Sequence, residues 1–264
     1  MAAPQYAEIN RFVLASDLDG TLIDHDIAGT NDGPDEKLRE FARLLAGSGE
    51  RLTLWFNSSR PVASQRASLE RIADLPAPAF HIGAMGTQVA DTDGQLIEEY
   101  GREQFGDWPR AEVEAVAIER FGLVPHALEM QTDYKASFDL PEPIMAQAIE
   151  GELQSRGIAA KLVVSSGKDL DILPPRAGKA SAIRWLARRE DLPFEAVIVS
   201  GDSANDIDMF DAPFRGIVVG NGHDELRAHA QEASTPTYLA AARAAGGVIE
   251  GLRYFKVFSQ VESR

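Results

Sequence analysis

Two aspartates, Asp17 and Asp19, lie two positions apart in the run Phe-Val-Leu-Ala-Ser-Asp-Leu-Asp-Gly-Thr-Leu-Ile from Phe12 to Ile23. Such a pair suits phosphoryl chemistry. One carboxylate attacks phosphorus and forms an aspartyl-phosphate, while the other protonates the leaving alcohol and then deprotonates the hydrolytic water. Two acids that close also repel each other, so a cation belongs between them and a phosphate. On an extended strand their side chains would face opposite ways, and Gly20 supplies the bend that brings both to one centre. The competing reading is an ordinary acidic turn after a buried strand.

A second oxygen-rich segment, Gly201-Asp202-Ser203-Ala204-Asn205-Asp206, follows the apolar run Ala196–Ser200 directly. Asp17/Asp19 and Asp202/Asp206, converging over one sheet, would form a hard-cation site suited to Mg²⁺, which prefers a few carboxylates, water and substrate phosphate. Five histidines without paired spacing argue against zinc or iron. A turn-and-cap sequence before a helix at Ile207 would account for one or two of these acids but not for all four. Asn57-Ser58-Ser59-Arg60-Pro61 puts hydroxyls at a strand end before a helix opened by Pro61, where oxyanions bind through a hydroxyl and backbone N–H groups. In isolation that segment also reads as a plain serine N-cap. Lys179 stands at a helix start, the unfavourable end of the dipole for a cation, which hints at function against the alternative of a solvated lysine.

These groups need strands to carry them. Phe12–Ser16, Leu52–Phe56, Ala196–Ser200 and Gly216–Gly220 are short apolar runs of the kind buried in parallel sheets, and open α/β sheets hold ligands beyond the carboxyl ends of their strands. A helix opens at Pro34 and Asp35, presents Leu38, Phe41, Leu44 and Leu45 on one face, and ends at Gly47. Asp93-Gly94 marks a hairpin between Thr87–Ala90 and Gln95–Ile97, and Gly101–Pro109 is polar and irregular. An inserted domain follows, with helices near Arg110–Phe121 and Ile144–Arg156 and strands near Leu128–Leu140 and Ala160–Ser165, as a small α+β cap. The core resumes at Asp169–Pro174. Asn221 reads as a loop residue first and a substrate contact second.

With 264 residues, 44% apolar and 25% charged, the chain can build one large domain or two modest ones. Its formal net charge of −15 repels nucleic acid and anionic membranes, so a phosphate binder of this balance needs a metal or a local basic residue to reverse the field. The absence of cysteine, of a leader and of a membrane-length apolar run leads to the expectation of a cytoplasmic protein without membrane or nucleic-acid partners.

Asp17-Leu-Asp-Gly-Thr21, Ser58-Ser-Arg-Pro61, Lys179 and Gly201–Asp206 together resemble the four motifs of the haloacid dehalogenase superfamily of phosphotransferases. Met85-Gly-Thr-Gln-Val89, Lys135-Ala-Ser-Phe138, Ser165–Pro174 and Gly247–Phe255 are similar to its sucrose-phosphate phosphatase branch. Ser58-Ser59 replaces the family's usual Thr-Gly, which keeps the hydroxyl but crowds the anion loop, and Asp24, His25 and Asp26 match nothing distinctive.

The resemblance implies an α/β protein: a Rossmann-like doubly wound parallel sheet core over 1–84 and 166–264, with an α+β cap of the C2 type over 85–165. It implies Asp17 as nucleophile, Asp19 as general acid/base, and Ser58 with the Ser59 N–H as phosphoryl holders. Lys179 becomes the neutralising cation. Asp202, the Asp17 carboxylate and the Asp19 carbonyl become Mg²⁺ ligands, with Asn205 and Asp206 supporting that set or orienting Lys179. Gly86, Thr87, Gln131, Lys135 and Asp169 become substrate-side contacts, Lys135 and Gln131 reading sugar hydroxyls. The activity implied is hydrolysis of a phosphorylated disaccharide such as sucrose 6-phosphate or mannosylfructose phosphate, paired with the glycosyltransferase that makes it. Glucosylglycerol or glucosylglycerate phosphate, a sugar phosphomutase, and a non-catalytic partner of the glycosyltransferase are the alternatives.

Overall fold

A computed structural model of the chain describes residues 9–24, 35–165 and 167–258. In chain order the elements are β1 (Phe12–Ser16), α1 (Glu36–Gly47), β2 (Leu52–Asn57), α2 (Val62–Arg71), β3 (Phe80–Gly83), β4 (Gln88–Asp91), α3 (Glu98–Phe105) and α4 (Arg110–Ala115). Then come β5 (Val124–Pro125), β6 (Ala136–Asp139), α5 (Met145–Ser155), β7 (Lys161–Ser165), β8 (Asp169–Leu173) and α6 (Lys179–Arg189). The chain closes with β9 (Val197–Gly201), α7 (Ile207–Phe210), β10 (Arg215–Val218), α8 (Asp224–Glu232), β11 (Thr237–Leu239) and α9 (Ala244–Tyr254). Among the described residues no helix is long and apolar enough to cross a membrane.

Two compact units divide the chain: one holds the described residues up to Asn57, Ser68–Phe80 and Ile183 onward, the other Ser58–Ala67 and His81–Ala182. In the first unit five strands stand in the order β11, β10, β9, β1, β2, each parallel to its neighbour. Ser16 of β1 lies opposite Phe56 on one side and Ser200 on the other. Strand order therefore reverses at β1, the switch point where an open α/β sheet leaves a crevice beyond its carboxyl ends. Period two decides the packing. Leu14, Leu54, Ile198 and Ile217 join Leu38 and Phe41 of α1 and Val248, Ile249 and Leu252 of α9 in one core, while Val13, Ala15, Val197 and Val199 are buried on the opposite face.

Helix α1 starts where a cap allows it: the Asp35 carboxylate accepts the N–H groups of Lys37 and Leu38 at 2.8 and 3.1 Å. Pro34, expected to help open this helix, lies outside the described residues, as do His25, Asp26 and Ser166. Gly47 is the last helical residue rather than the terminator, and the left-handed turn falls at Gly49, φ 55°.

The second unit contains an antiparallel sheet in the order β5, β6, β8, β7. Ala136 and Phe138 of β6 and Leu170 and Ile172 of β8 pack with Val113 of α4 and Ile149 and Leu153 of α5. Ser137 faces Asp171 across the same strand pair, and Asp139 faces Asp169.

Three expectations change here. Asp169–Leu173, read as the core resuming, pairs with β6 and β7, so a boundary at residue 166 falls inside a hairpin of this sheet. An alternating run announces a strand but not which sheet it joins. The strand foreseen over Leu128–Leu140 is confined to Ala136–Asp139, with a single 3₁₀ turn at Leu128–Met130. The stretch from Gly101, read as irregular, belongs in its first half to α3, anchored by buried Tyr100 edge-on to Phe105 at 5.5 Å. With so few apolar positions, that helix is held by tertiary contact rather than by a visible periodicity. The Asp93-Gly94 turn is present: Gly94 has φ 77° and the Asp91 N–H donates to the Gln95 carbonyl.

Candidate functional site

In the first unit, Asp17 follows β1 and Asp202 follows β9, two adjacent parallel strands whose ends are tied by the Asp17 N–H donating to the Ser200 carbonyl at 3.0 Å. Below them Ser200 Oγ donates to Ser16 Oγ at 2.7 Å, and Ser16 Oγ donates to the Asp17 carbonyl, also at 2.7 Å. Strand register therefore delivers both carboxylates to one point. Oxygens of Asp17, Asp202 and Asp206 lie within 4.8 Å of one another, on side chains whose residues are 4, 8 and 0% exposed.

Asp206 is held by the backbone it caps. Its Oδ2 accepts the N–H groups of Asp202 and Ser203 at 2.9 and 3.2 Å. The turn-and-cap reading is thus correct for Asp206, and the same bonds aim Asp202. Thr21 Oγ1 donates to Asp202 Oδ1 at 3.3 Å. Gly20 has φ 79°, and a Cβ there would lie 2.4 Å from Asp202 Oδ2, so this turn can press against the carboxylates only as glycine. Asp19 is half-buried on the turn, and Asn205 is half-buried in the 3₁₀ turn Ala204–Asp206.

Three buried carboxylates at this separation repel one another, and the donor set is entirely hard oxygen. Ligands about 2.1 Å from one octahedral ion stand roughly 3–4.2 Å apart, a spacing this cluster accommodates. The acidic cluster could therefore hold a divalent cation.

Asn221, expected first as a loop residue, does lie in a turn after β10, where it makes two side-chain bonds. Its Nδ2 donates to the Gly20 carbonyl at 2.7 Å and its Oδ1 accepts the Ala244 N–H at 2.8 Å. Asp24, in a stretch that looked undistinguished, is 6% exposed and accepts both Nε and Nη2 of Arg243 at 3.1 and 3.2 Å. No local pattern announces pairs more than two hundred residues apart; the Asn-Gly dipeptide was the one available signal.

The second unit carries the other expected residues. β2 ends at Asn57 and the chain enters this unit at Ser58, which is 1% exposed. Ser58 N–H donates to the Ile82 carbonyl and Ser58 Oγ accepts the Arg60 N–H, both at about 3 Å, which fixes the hydroxyl and leaves its proton to donate. Ser59 is half-buried beside it. The Arg60 carbonyl accepts the Ala84 N–H, so this turn abuts a second one.

That second turn is left-handed through three residues: Ala84, Met85 and Gly86 have φ 51°, 58° and 77°. Such a run is strained for non-glycine residues and persists only where its surroundings enforce it. Thr87 Oγ1 donates to the Ala84 carbonyl at 2.8 Å, and the Tyr100 hydroxyl donates to the Gly86 carbonyl at 2.6 Å. A Cβ on Gly86 would stand 2.1 Å from the Gly178 carbonyl oxygen and 2.9 Å from the Lys179 nitrogen. Gly86 thus packs against the start of α6, and Thr87 braces the same turn. Lys179 opens that helix at 1% exposure, which excludes the reading of a solvated lysine.

On the antiparallel sheet, Lys135 is 1% exposed and its Nζ donates to Ser137 Oγ and to Asp171 Oδ1, the latter at 2.8 Å. Gln131 donates from Nε2 to the carbonyls of His126 and Ser137, and its Oε1 accepts from the Ser137 N–H and Arg110 Nη2. Through these bonds the two side chains brace the sheet. Asp169 faces Asp139 across the sheet, and His126 Nε2 lies 3.2 Å from Asp139 Oδ1 and 3.4 Å from Asp169 Oδ1. Lys135→Met is expected to cost about 3 kcal/mol, the low end for breaking a buried pair on one side because Asp171 keeps some contact with solvent. Urea denaturation reads it, and a loss below about 1 kcal/mol would contradict a structural role.

Compared with known proteins, residues 10–256 match the family of sucrose-6F-phosphate phosphohydrolases. A mannosylfructose-phosphate phosphatase from Agrobacterium fabrum is 34% identical over 92% of this chain and 96% of its own length. A probable sucrose-phosphatase from Arabidopsis thaliana is 28% identical over 96% of this chain and 62% of its own. A Synechocystis sucrose-phosphatase solved in complex with sucrose and phosphate superposes with a TM-score of 0.81 at 26% identity, covering 95% of this chain and all of that one.

Proposed function

The chain belongs to the sucrose-6F-phosphate phosphohydrolase family, phosphoric monoester hydrolases of the haloacid dehalogenase type, and on that premise we propose that it hydrolyses a phosphorylated disaccharide. Sucrose 6-phosphate and mannosylfructose phosphate are the substrates named by its relatives' activities. The observation that carries the reading is the buried trio Asp17, Asp202 and Asp206 at the ends of β1 and β9, in a chain matched along nearly its whole length.

In this reading an Asp17 carboxylate oxygen bonds to phosphorus as the ester P–O bond breaks, and the departing sugar oxygen takes the Asp19 proton. Water then attacks the aspartyl-phosphate, Asp19 takes its proton, the acyl P–O bond breaks, and the Asp17 carboxylate is restored. Ser58, through its hydroxyl, and Ser59, through its N–H, hold phosphoryl oxygens. Lys179 offsets their charge, and its burial strengthens that effect. Asp17, Asp202 and the Asp19 carbonyl would hold Mg²⁺, with Asp206 and Asn205 in support. When bound, the ion neutralises phosphoryl charge that this acidic chain would otherwise repel. The lack of cysteine supports a cytoplasmic setting, where a glycosyltransferase would supply the substrate.

Phosphate release measured with Mg²⁺ over sucrose 6-phosphate, mannosylfructose phosphate, glucosylglycerol phosphate and glucosylglycerate phosphate tests the proposal. One of the two disaccharide phosphates should show the highest kcat/KM. Silence on all four would overturn it.

A further inference from the structure

The loop after β1 turns back on itself. Leu22 and Ile23 N–H groups donate to the Leu18 carbonyl at 2.9 and 2.8 Å, and the Gly20 N–H donates to the Ile23 carbonyl at 2.8 Å. Those bonds fix the shape of the turn that carries Asp19. They do not fix its tilt against the ends of β1 and β9, where an acid/base must meet the leaving oxygen within hydrogen-bond reach.

Two side chains hold the turn from outside, one at each end. Asn221 bonds the Gly20 carbonyl, and Arg243 grips Asp24 through two nitrogens. Both converge on one segment, because the other end of the Asn221 amide accepts from Ala244, next in the chain after Arg243. That segment is itself fixed. The Glu250 carboxylate accepts the N–H groups of Ala241 and Ala242, the Gly220 N–H donates to the Ala242 carbonyl at 2.7 Å, and Ala244 has φ 43°, left-handed for a residue with a side chain. A strained non-glycine residue bonded to the amide that steadies a catalytic turn is where a positioning device is expected.

We propose that Asn221 and Arg243 are positioning residues that hold the Gly20–Asp24 turn so that Asp19 can transfer a proton to and from the reacting oxygen. The inference rests on the phosphatase reading. Asn221 needs an amide, since it donates to one backbone group and accepts from another at once; aspartate keeps the size and the acceptor but loses the donor.

Proton transfer makes the test selective. A sugar alkoxide must be protonated to leave, whereas p-nitrophenolate departs without help, so a misplaced Asp19 harms the first substrate far more than the second. Asn221→Ala and Asn221→Asp should each lower kcat/KM on the faster of sucrose 6-phosphate and mannosylfructose phosphate by roughly 10–100-fold, and on p-nitrophenyl phosphate by less than about 3-fold. Arg243→Lys, which keeps the charge and loses the two-pronged grip, should follow with a smaller loss of the same selectivity. Asn221→Asp guards against a folding defect because it preserves shape. Equal losses on both kinds of substrate, or none, would overturn the inference while leaving the phosphatase reading intact. Wild-type protein inactive on p-nitrophenyl phosphate and on all four sugar phosphates would overturn that reading and the inference with it.

Discussion

Asp17→Asn is expected to remove turnover, by on the order of 10⁴-fold or more, in a protein that stays folded. Asparagine keeps the size and hydrogen-bonding reach of the side chain, and the fixed register of β1 with β2 and β9 gives no reason for the backbone to move. What disappears is the nucleophilic oxygen. The substitution also removes one of three carboxylates gathered within 4.8 Å, so like-charge repulsion falls. In the absence of metal, the variant should therefore melt no lower than wild type, and it should gain less on adding Mg²⁺. Steady-state phosphate release and thermal denaturation with and without Mg²⁺ check both halves. A variant retaining more than about a tenth of wild-type activity would exclude Asp17 as the nucleophile.

Chelation gives the second large effect. After EDTA and dialysis the protein should lose at least about 100-fold in turnover and recover it with Mg²⁺, because a chain of net charge −15 otherwise meets an anionic substrate with three buried carboxylates. Binding to the folded state alone stabilises it by about 2.7 kcal/mol at 100 times Kd, which in a chain of this size raises Tm by about 5 °C or more. Asp202→Asn should abolish both the Tm gain and the turnover. Asp206→Asn should weaken both less, since that carboxylate also aims Asp202 through two backbone bonds. Full activity in the chelated protein would refute a metal-dependent reaction.

The acidic residues proposed to do the chemistry were the easiest to read. Asp17 and Asp202 each end an apolar run of strand length, and a strand that ends in an acid before glycine or serine declares both its direction and its cargo. Their meeting also followed, because parallel strands in one sheet bring their carboxyl ends to one edge. The cap was harder. The four strands of its antiparallel sheet are short, and Asp169–Leu173 alternates as a strand in either sheet would, so a boundary drawn from pattern at residue 166 cut a hairpin of that sheet. Sequence pattern also does not reveal that Lys135 pairs with Asp171 across the sheet or that Gln131 bonds the backbone of Ser137.

Composition and local order thus determined the class of chemistry, the strands that carry it and the need for a cation against a strongly negative chain. These are properties of residue type and near-neighbour spacing, which the sequence holds directly. Tertiary structure decided which distant residues meet: Asn221 and Arg243 on the Gly20–Asp24 turn, Gly86 against Gly178, Lys135 with Asp171 in the antiparallel sheet. Each depends on a pairing between residues far apart in the chain, and such a pairing exists only once the intervening elements have packed.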